Sequence, residues 1–378
     1  MRSVFCEKTI LSAVGSFALL AIPELWSQSP EKVATNKGDT SAESAGQVHI
    51  PTRSAITLFK GQQGKQKTEI HFDPATGTVT IKLLVQDQNG YFIPNIRHEN
   101  FVIYENGVPQ KYTTVEIEHA AVSLGLLMEH GGRYQGLNKL VSEEVSRDAH
   151  QLLEALGRED KVAIWLYSNN AQQLASFSDG REKLDKIAYD LEPPDVSEAN
   201  LYDALVTVLK QMRLLEGRKA IILLSSGIDT FSTITLDDTL KILRESGVPV
   251  YAIGLGPALR GAASVYGNTG PVARIDWNKA DNNLQQIARA SGGRHYAPES
   301  TLDLTAIYDD IMENLRVRYV ITYKISSAAD LNSPRTIRVE LVNPKTGKPL
   351  QIVDANGKVI APNVIVEDSY VPSQVADK

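Results

Sequence analysis

Four continuous apolar runs, each halted by a glycine or a polar turn, constrain this chain more than any other feature. They are VSLGLLMEHGGR (Val122 to Arg133), KVAIWLYS (Lys161 to Ser168), KAIILLSSGID (Lys219 to Asp229) and PVYAIGLG (Pro249 to Gly256). A run without polar alternation reads as a strand buried on both faces. Between the runs lie segments of helical period: Leu140 to Leu156, Arg181 to Asp190, Leu201 to Leu215, Leu236 to Ser246, Asn282 to Ala290 and Leu302 to Val317. Strands alternating with helices predict an α/β fold, a doubly wound, mostly parallel sheet with helices on both faces. In such sheets ligands bind beyond the carboxyl ends of the strands, which singles out the residues after Met128 and Leu224.

The flanks have a different period. Thr78 to Asp87 alternates, and Asn100 to His119 alternates around Asn106-Gly107, a strong hairpin signal. After the closing helix, Tyr319 to Ile325 and Arg335 to Val342 alternate again, and Asn356-Gly357 marks another hairpin. Neither flank alone holds much core, so the two are expected to pack together as a small β module. The expected division is a signal peptide (1–29), a flexible leader (30–66), a β module (67–118), the α/β domain (119–318) and a C-terminal β segment with tail (319–378). Ala171 to Ser178 is expected as an antiparallel edge partner of the second run. Residues 257–278 carry Gly261, Gly267 and Gly270 without periodicity and read as a surface insertion.

Arg2 and Lys8 precede an apolar run from Thr9 to Ile22, then Pro23 and a polar exit. This is the pattern of a secretory signal peptide cleaved between Trp26 and Pro30; an uncleaved anchor is the competing reading. The expected location is secreted or cell-envelope, with no stable membrane insertion after processing. The one cysteine, Cys6, lies ahead of the apolar run, so the mature chain has no disulfide or thiolate metal site. The net charge of −6 gives no case for nucleic acid.

At this point the chain resembles the von Willebrand factor type A family, and more closely its secreted bacterial subgroup, the VWFA-related acidobacterial domain. The resemblance spans about 78–345. It is carried by NFVIYENGVPQ (Asn100 to Gln110), SLGLLMEHGG after Val122, NLYDAL (Asn200 to Leu205), IILLSSGIDT (Ile221 to Thr230) and NLRVRYVITY (Asn314 to Tyr323). The resemblance implies binding to proteins, in many members through a divalent cation. That site uses D-x-S-x-S after the first strand, a Thr before the third helix and an Asp after the fourth strand. This sequence departs at each position: Glu129 for the Asp, Gly131 and Arg133 for the serines, Ala199 for the Thr and Ser226 for the second Asp. Gly and Ala offer no ligand, and a guanidinium has no lone pair to give. No metal, cofactor or catalytic residue is therefore expected. Glu129, His130, Gly131, Arg133, Ala199 and Ser226 remain as a degenerate metal site and candidate partner-binding face.

Other chemistry is weaker. Gly254, Gly256 and Gly261 lack the third glycine of a dinucleotide loop, because Leu259 stands in its place. The seven histidines form no zinc-protease pair, and Ser225-Ser226-Gly227 shows no His partner in sequence. Glu129 reads as a strand-end carboxylate bonded to amides of the next turn. Asp203 reads as a first-turn carboxylate complementing its helix dipole. Tyr202, Tyr319 and Tyr323 read as packing residues. Tyr266, Arg274 and Trp277 in the insertion are a second candidate binding surface, with a lid role for Trp277 as the alternative. The reading is a non-enzymatic protein-binding module; an extracytoplasmic hydrolase and a structural assembly component of the envelope are the alternatives.

Overall fold

The computed structural model describes residues 47–50, 68–88, 90–131, 138–189, 198–257, 259–261, 275–298, 303–325, 331–354 and 356–375. The signal segment, most of the leader and most of the expected insertion, including Tyr266 and Arg274, lie outside the described residues, as does Arg133. The first strands are β1 (Gln47–His49), β2 (Glu69–Asp73), β3 (Thr78–Gln86), β4 (Phe101–Glu105), β5 (Val108–Gln110) and β6 (Tyr112–His119). The α/β part then runs β7 (Val122–Glu129), α1 (Asn138–Ala155), β8 (Lys161–Tyr167), β9 (Ala171–Ala175), α2 (Arg181–Tyr189), α3 (Leu201–Met212), β10 (Arg218–Ser225), α4 (Leu236–Ser246), β11 (Val250–Gly254), α5 (Trp277–Ser291), β12 (His295–Tyr296) and α6 (Asp303–Arg316). It is followed by β13 (Val317–Lys324), β14 (Arg335–Leu341), β15 (Gln351–Val353), β16 (Val359–Ile360), β17 (Asn363–Ile365), β18 (Ser369–Tyr370) and a last turn, α7 (Pro372–Val375).

The six-stranded sheet has the order β12-β11-β10-β7-β8-β9. Its ladders are parallel except β8–β9, which is antiparallel and carries a bulge. The apolar runs are its centre because both faces are covered. Leu126, Met128, Ile222 and Leu224 pack with Leu152 and Leu153 of α1 and Ile307 and Ile311 of α6. Leu127, Trp165, Ile221 and Leu223 pack with Leu205 and Leu209 of α3, Leu243 of α4 and Ile287 of α5. Burying one such Leu or Ile contributes about 1.5–3 kcal/mol. Helix α4 shows local coding at both ends. The Thr235 hydroxyl accepts from Asp238 N–H, and Gly247 closes the helix at φ 68°.

The flanks form further sheets. One has the order β17-β3-β13-β6, with β2 also on β3; another is β18-β14-β4-β5; a third is β1-β15-β16. Strands from both sides of the α/β part therefore share single sheets, alternating in the first, and their apolar rows meet in one core holding Val79, Ile81, Ile103, Ile321 and Val339. Tyr319 and Tyr323 are fully buried in it. The Tyr319 hydroxyl donates to Ile93 O and accepts from Ile96 N–H. The Tyr323 hydroxyl donates to Glu105, which Arg335 and Tyr370 also engage.

A polar seam joins the two parts. Helix α6 passes into β13 without a loop, Arg316 being followed by Val317, which pairs with His119. Beside that junction Arg294 binds Asp310 and Asn314, and Tyr296 donates to Asp310. Gln86 of β3 donates to Asn314 across the seam at 2.7 Å. Arg218 binds Glu118 and the carbonyl of Arg316.

Among the helices, the boundary that differs most from the sequence reading is the start of α5. Helix α5 starts at Trp277, not Asn282. Asp276 caps it, its carboxylate accepting from Lys279 N–H at 3.0 Å, so the polar stretch WNKADNN is helical despite its weak period.

Candidate functional site

The carboxyl ends of β7, β8 and β10 meet where the sequence placed a site. Glu129 ends β7 and is buried, only 1% exposed. Its carboxylate accepts from Ser226 N–H at 2.7 Å and from the Ser226 hydroxyl at 2.9 Å. The Ser225 and Tyr167 hydroxyls reach it at 3.1 and 2.9 Å. Thus the carboxylate is anchored on the end of β10, 97 residues away in sequence, as well as on β8. The expected bond to amides of the next turn falls largely on residues 132–137, outside the described residues; the described donors come from β8 and the end of β10, which the sheet register brings alongside. Such charge-assisted bonds are stronger than neutral ones.

Gly131 is buried and crowded. A Cβ there would lie 2.1 Å from the Glu198 carbonyl oxygen and 3.2 Å from Ser168 Cα. These are backbone atoms, so a serine does not fit without moving the chain. Ala199 is buried with no side-chain oxygen, and its N–H donates to the Thr230 hydroxyl at 2.8 Å. His130 is half-buried, and desolvation holds its pKa below the usual histidine value.

Of the expected site residues, the fold brings together Glu129, Gly131, Ala199 and Ser226. All four are buried, so they floor the face and are not a surface that a partner can touch. The accessible layer comes from residues the sequence reading passed over. Helix α3 begins at Leu201 after Asn200, which has the residue type of a cap but does not cap. Its carboxamide oxygen accepts instead from the Thr230 hydroxyl and Phe231 N–H, and its NH2 donates to Asn169 O. The helix start is capped from the β10–α4 loop: Tyr202 N–H donates to Asp229 Oδ1 at 3.2 Å and to Ser232 Oγ at 3.1 Å. Asp203 reciprocates. It accepts from Thr233 N–H at 2.8 Å and Ile234 N–H at 3.1 Å. Burial would raise its pKa, but these amides and the Thr233 hydroxyl outweigh that and lower it. The helix-dipole account of Asp203 is therefore incomplete, since its carboxylate ties down a loop 30 residues on.

Five successive amides are thereby satisfied: Thr230 on Ala199 O, Phe231 on Asn200, Ser232 on Asp229, and Thr233 and Ile234 on Asp203. From this pinned loop Phe231 projects with 61% of its surface exposed. Asn169, Asn170 and Thr233 are also exposed there. Tyr202 is buried beneath, its phenol pushed up to about 12 by burial and by Asp229. The signal that could have found Phe231 is its place, one turn past the carboxyl end of a central strand in a Ser/Thr-rich loop.

Trp277 is not part of an irregular lid. It occupies the first turn of α5 and packs against the core, its ring close to Gly256. Among the described residues, no group of three or more His, Cys, Asp or Glu residues is placed to hold a metal ion.

Comparison with solved structures finds similar chains at low identity. BatB, a conserved hypothetical protein from Bacteroides thetaiotaomicron, is 17% identical over 51% of this chain and 98% of that one, with a TM-score of 0.40. The vWF domain of the type V pili tip protein Mfa5 from Porphyromonas gingivalis is 12% identical over 52% and 95%, at 0.39. Proximal thread matrix protein 1 from the mussel byssus is 14% identical over 54% and 49%, at 0.39. No curated protein matches the chain. Residues 138–310, from α1 to within α6, match the family model of the von Willebrand factor type A domain, and the α/β part of this chain has that domain's fold.

Proposed function

We propose that this chain is a non-enzymatic protein-binding module that works without a metal ion, through the face around Phe231. The observation that carries the reading is the pinned loop. Five satisfied amides hold an exposed aromatic in place before any partner arrives, so little ordering entropy is lost on binding. Aromatic anchors on rigid supports are typical of binding hot spots. The residues present do not fit the cation that the family implies. Glu129 accepts hydrogen bonds from the hydroxyls of Ser225, Ser226 and Tyr167 and from Ser226 N–H, Gly131 has no room for a serine, and Ala199 has no side-chain oxygen. Mg²⁺ needs several hard oxygens in near-octahedral array. In the same reading Arg133, two residues past Gly131 in sequence, supplies positive charge toward a partner's carboxylate by a bidentate pair.

The hydrolase alternative loses support because Ser225 and Ser226 are 0% and 2% exposed, beyond the reach of a substrate. We place the protein outside the cytoplasm after removal of residues 1–29, on the strength of Arg2, Lys8 and the apolar run that follows. Among the described residues no helix is long and apolar enough to cross a membrane.

The test is capture from the producing cell's envelope fraction with the wild-type chain, Phe231→Ala and Arg133→Ala, each with and without chelator. Phe231→Ala should weaken capture at least about tenfold, ~1.4 kcal/mol, while chelator changes nothing. Loss of wild-type capture on chelation would sink the metal-free reading. Normal capture by both variants would remove this face from consideration.

A further inference from the structure

Strand β6, Tyr112–His119, is the longest edge strand among the described residues. It pairs with β13 on one side, from Val317↔His119 to Tyr323↔Tyr112. In an antiparallel pair alternate residues turn N–H and C=O away from the partner. On that outer side, no described backbone bond involves residues 112–119. The side chains match an open edge. Thr113, Thr114, Glu116 and His119 are exposed, and Ile117 is 43% exposed although it stands opposite Tyr319 in the core-facing row. An edge of the separate six-stranded α/β sheet shows how an edge is normally blunted. Strand β9 has five residues, two of them exposed glutamines, and a bulge on its ladder with β8.

We propose that β6 accepts an additional strand from a partner protein: an extended segment in which basic and apolar side chains alternate. The two rows of the edge specify that chemistry. Glu116 and Glu118 lie on the outer row, opposite Val320 and Arg318, while Val115 and Ile117 lie on the core row, opposite Ile321 and Tyr319. Glu118 is already bound by Arg218 and Lys82; Glu116 is exposed and has no ion pair among the described residues. An incoming strand with Lys or Arg against Glu116 and apolar residues over Val115 and Ile117 satisfies the backbone and both rows at once. A second copy of the chain fits less well. Two β6 strands centred on Ile117 set Glu116 against Glu118. Centred on Glu116 they set that residue against itself, and centred on Val115 they leave the two Glu116 on the diagonal.

The probe is a pair of eight-residue synthetic peptides, one alternating lysine with isoleucine and one alternating glutamate with isoleucine, titrated into the full mature chain. The basic peptide should bind the wild type at least about tenfold tighter, with slowed hydrogen exchange at β6 amides. Glu116→Lys, a change at an exposed position, should reverse the preference. Equal binding of the two peptides, protection elsewhere than β6, or no change on Glu116→Lys would overturn the proposal. Concentration-dependent dimerisation of the wild type that Ile117→Lys abolishes would overturn the choice of partner in favour of a second copy.

Discussion

The rim of the six-stranded sheet and the seam beneath it are both polar, but they are built from different groups. The seam pairs full charges: Arg294 with Asp310 out of water, both at most 5% exposed, and Arg218 with the half-buried Glu118. The rim is knit by hydroxyls, carboxamides and backbone amides onto Glu129, Asn200, Asp203 and Asp229. A buried ion pair is strongly destabilising to break and leaves no capacity to spare. A lattice of side chain to backbone bonds holds loops still while leaving side chains such as Phe231 turned outward. The seam therefore reads as scaffold and the rim as a surface that can be used.

Variants should separate the two regions by the size of the effect. Arg294→Met should cost the most, ~3–5 kcal/mol, because the Asp310 carboxylate stays buried without its cation; chemical denaturation measures it. A loss under about 1 kcal/mol would mean that the seam tolerates water and is not the rigid part. Gly131→Ser puts a hydroxyl where the family resemblance implies a metal-ligating serine, and should cost about 1–3 kcal/mol by overpacking against the Glu198 carbonyl. Calorimetric titration of that variant with Mg²⁺ should show no heat of binding, and tight binding would mean that the rim can rearrange into a metal site. Ser226→Ala removes the hydroxyl's contact to Glu129 and should cost ~1–3 kcal/mol, read as a lowered Tm.

Protonation gives a milder contrast. Desolvation lowers the pKa of both His130 at the rim and His295 near the seam, and for His295 Asp281 opposes the shift without cancelling it. Each folded pKa lies below the unfolded value of about 6.5, so the unfolded chain binds more protons as pH falls. Stability is then complete above about pH 6.5 and declines as pH drops through the folded values. His295 is the more buried of the two, so His295→Gln should flatten a pH series of melting temperatures more than His130→Gln. The reverse order would place the softer region at the rim. Phe231→Ala should have the smallest effect on stability, within about 0.5 kcal/mol, while reducing capture of the partner.

What this chain's sequence determined by itself is whatever depends on near neighbours or on a missing atom. The runs through Leu124, Ile164, Ile222 and Ile253 announce two-sided burial, since no alternation of polar residues runs through them. The flanks alternate because one face of each strand is wet. Thr235 and Gly247 mark the ends of α4 within a turn of where they act. The absence of side-chain oxygens at Gly131 and Ala199 is legible without coordinates, because an oxygen that does not exist cannot ligate in any fold. Tertiary structure alone decided the rest. Asn200 and Asp203 have the right types for local capping, yet their bonds reach 30 residues to the β10–α4 loop, where spacing carries no information. Glu129 and Ser226, Gln86 and Asn314, and Val320 and Lys82 meet only because parallel crossovers and shared sheets bring them side by side. Burial is likewise a property of the assembled layers: four of the expected site residues lie under the face and Phe231 stands on it, because solvent reaches whatever the last loop leaves uncovered.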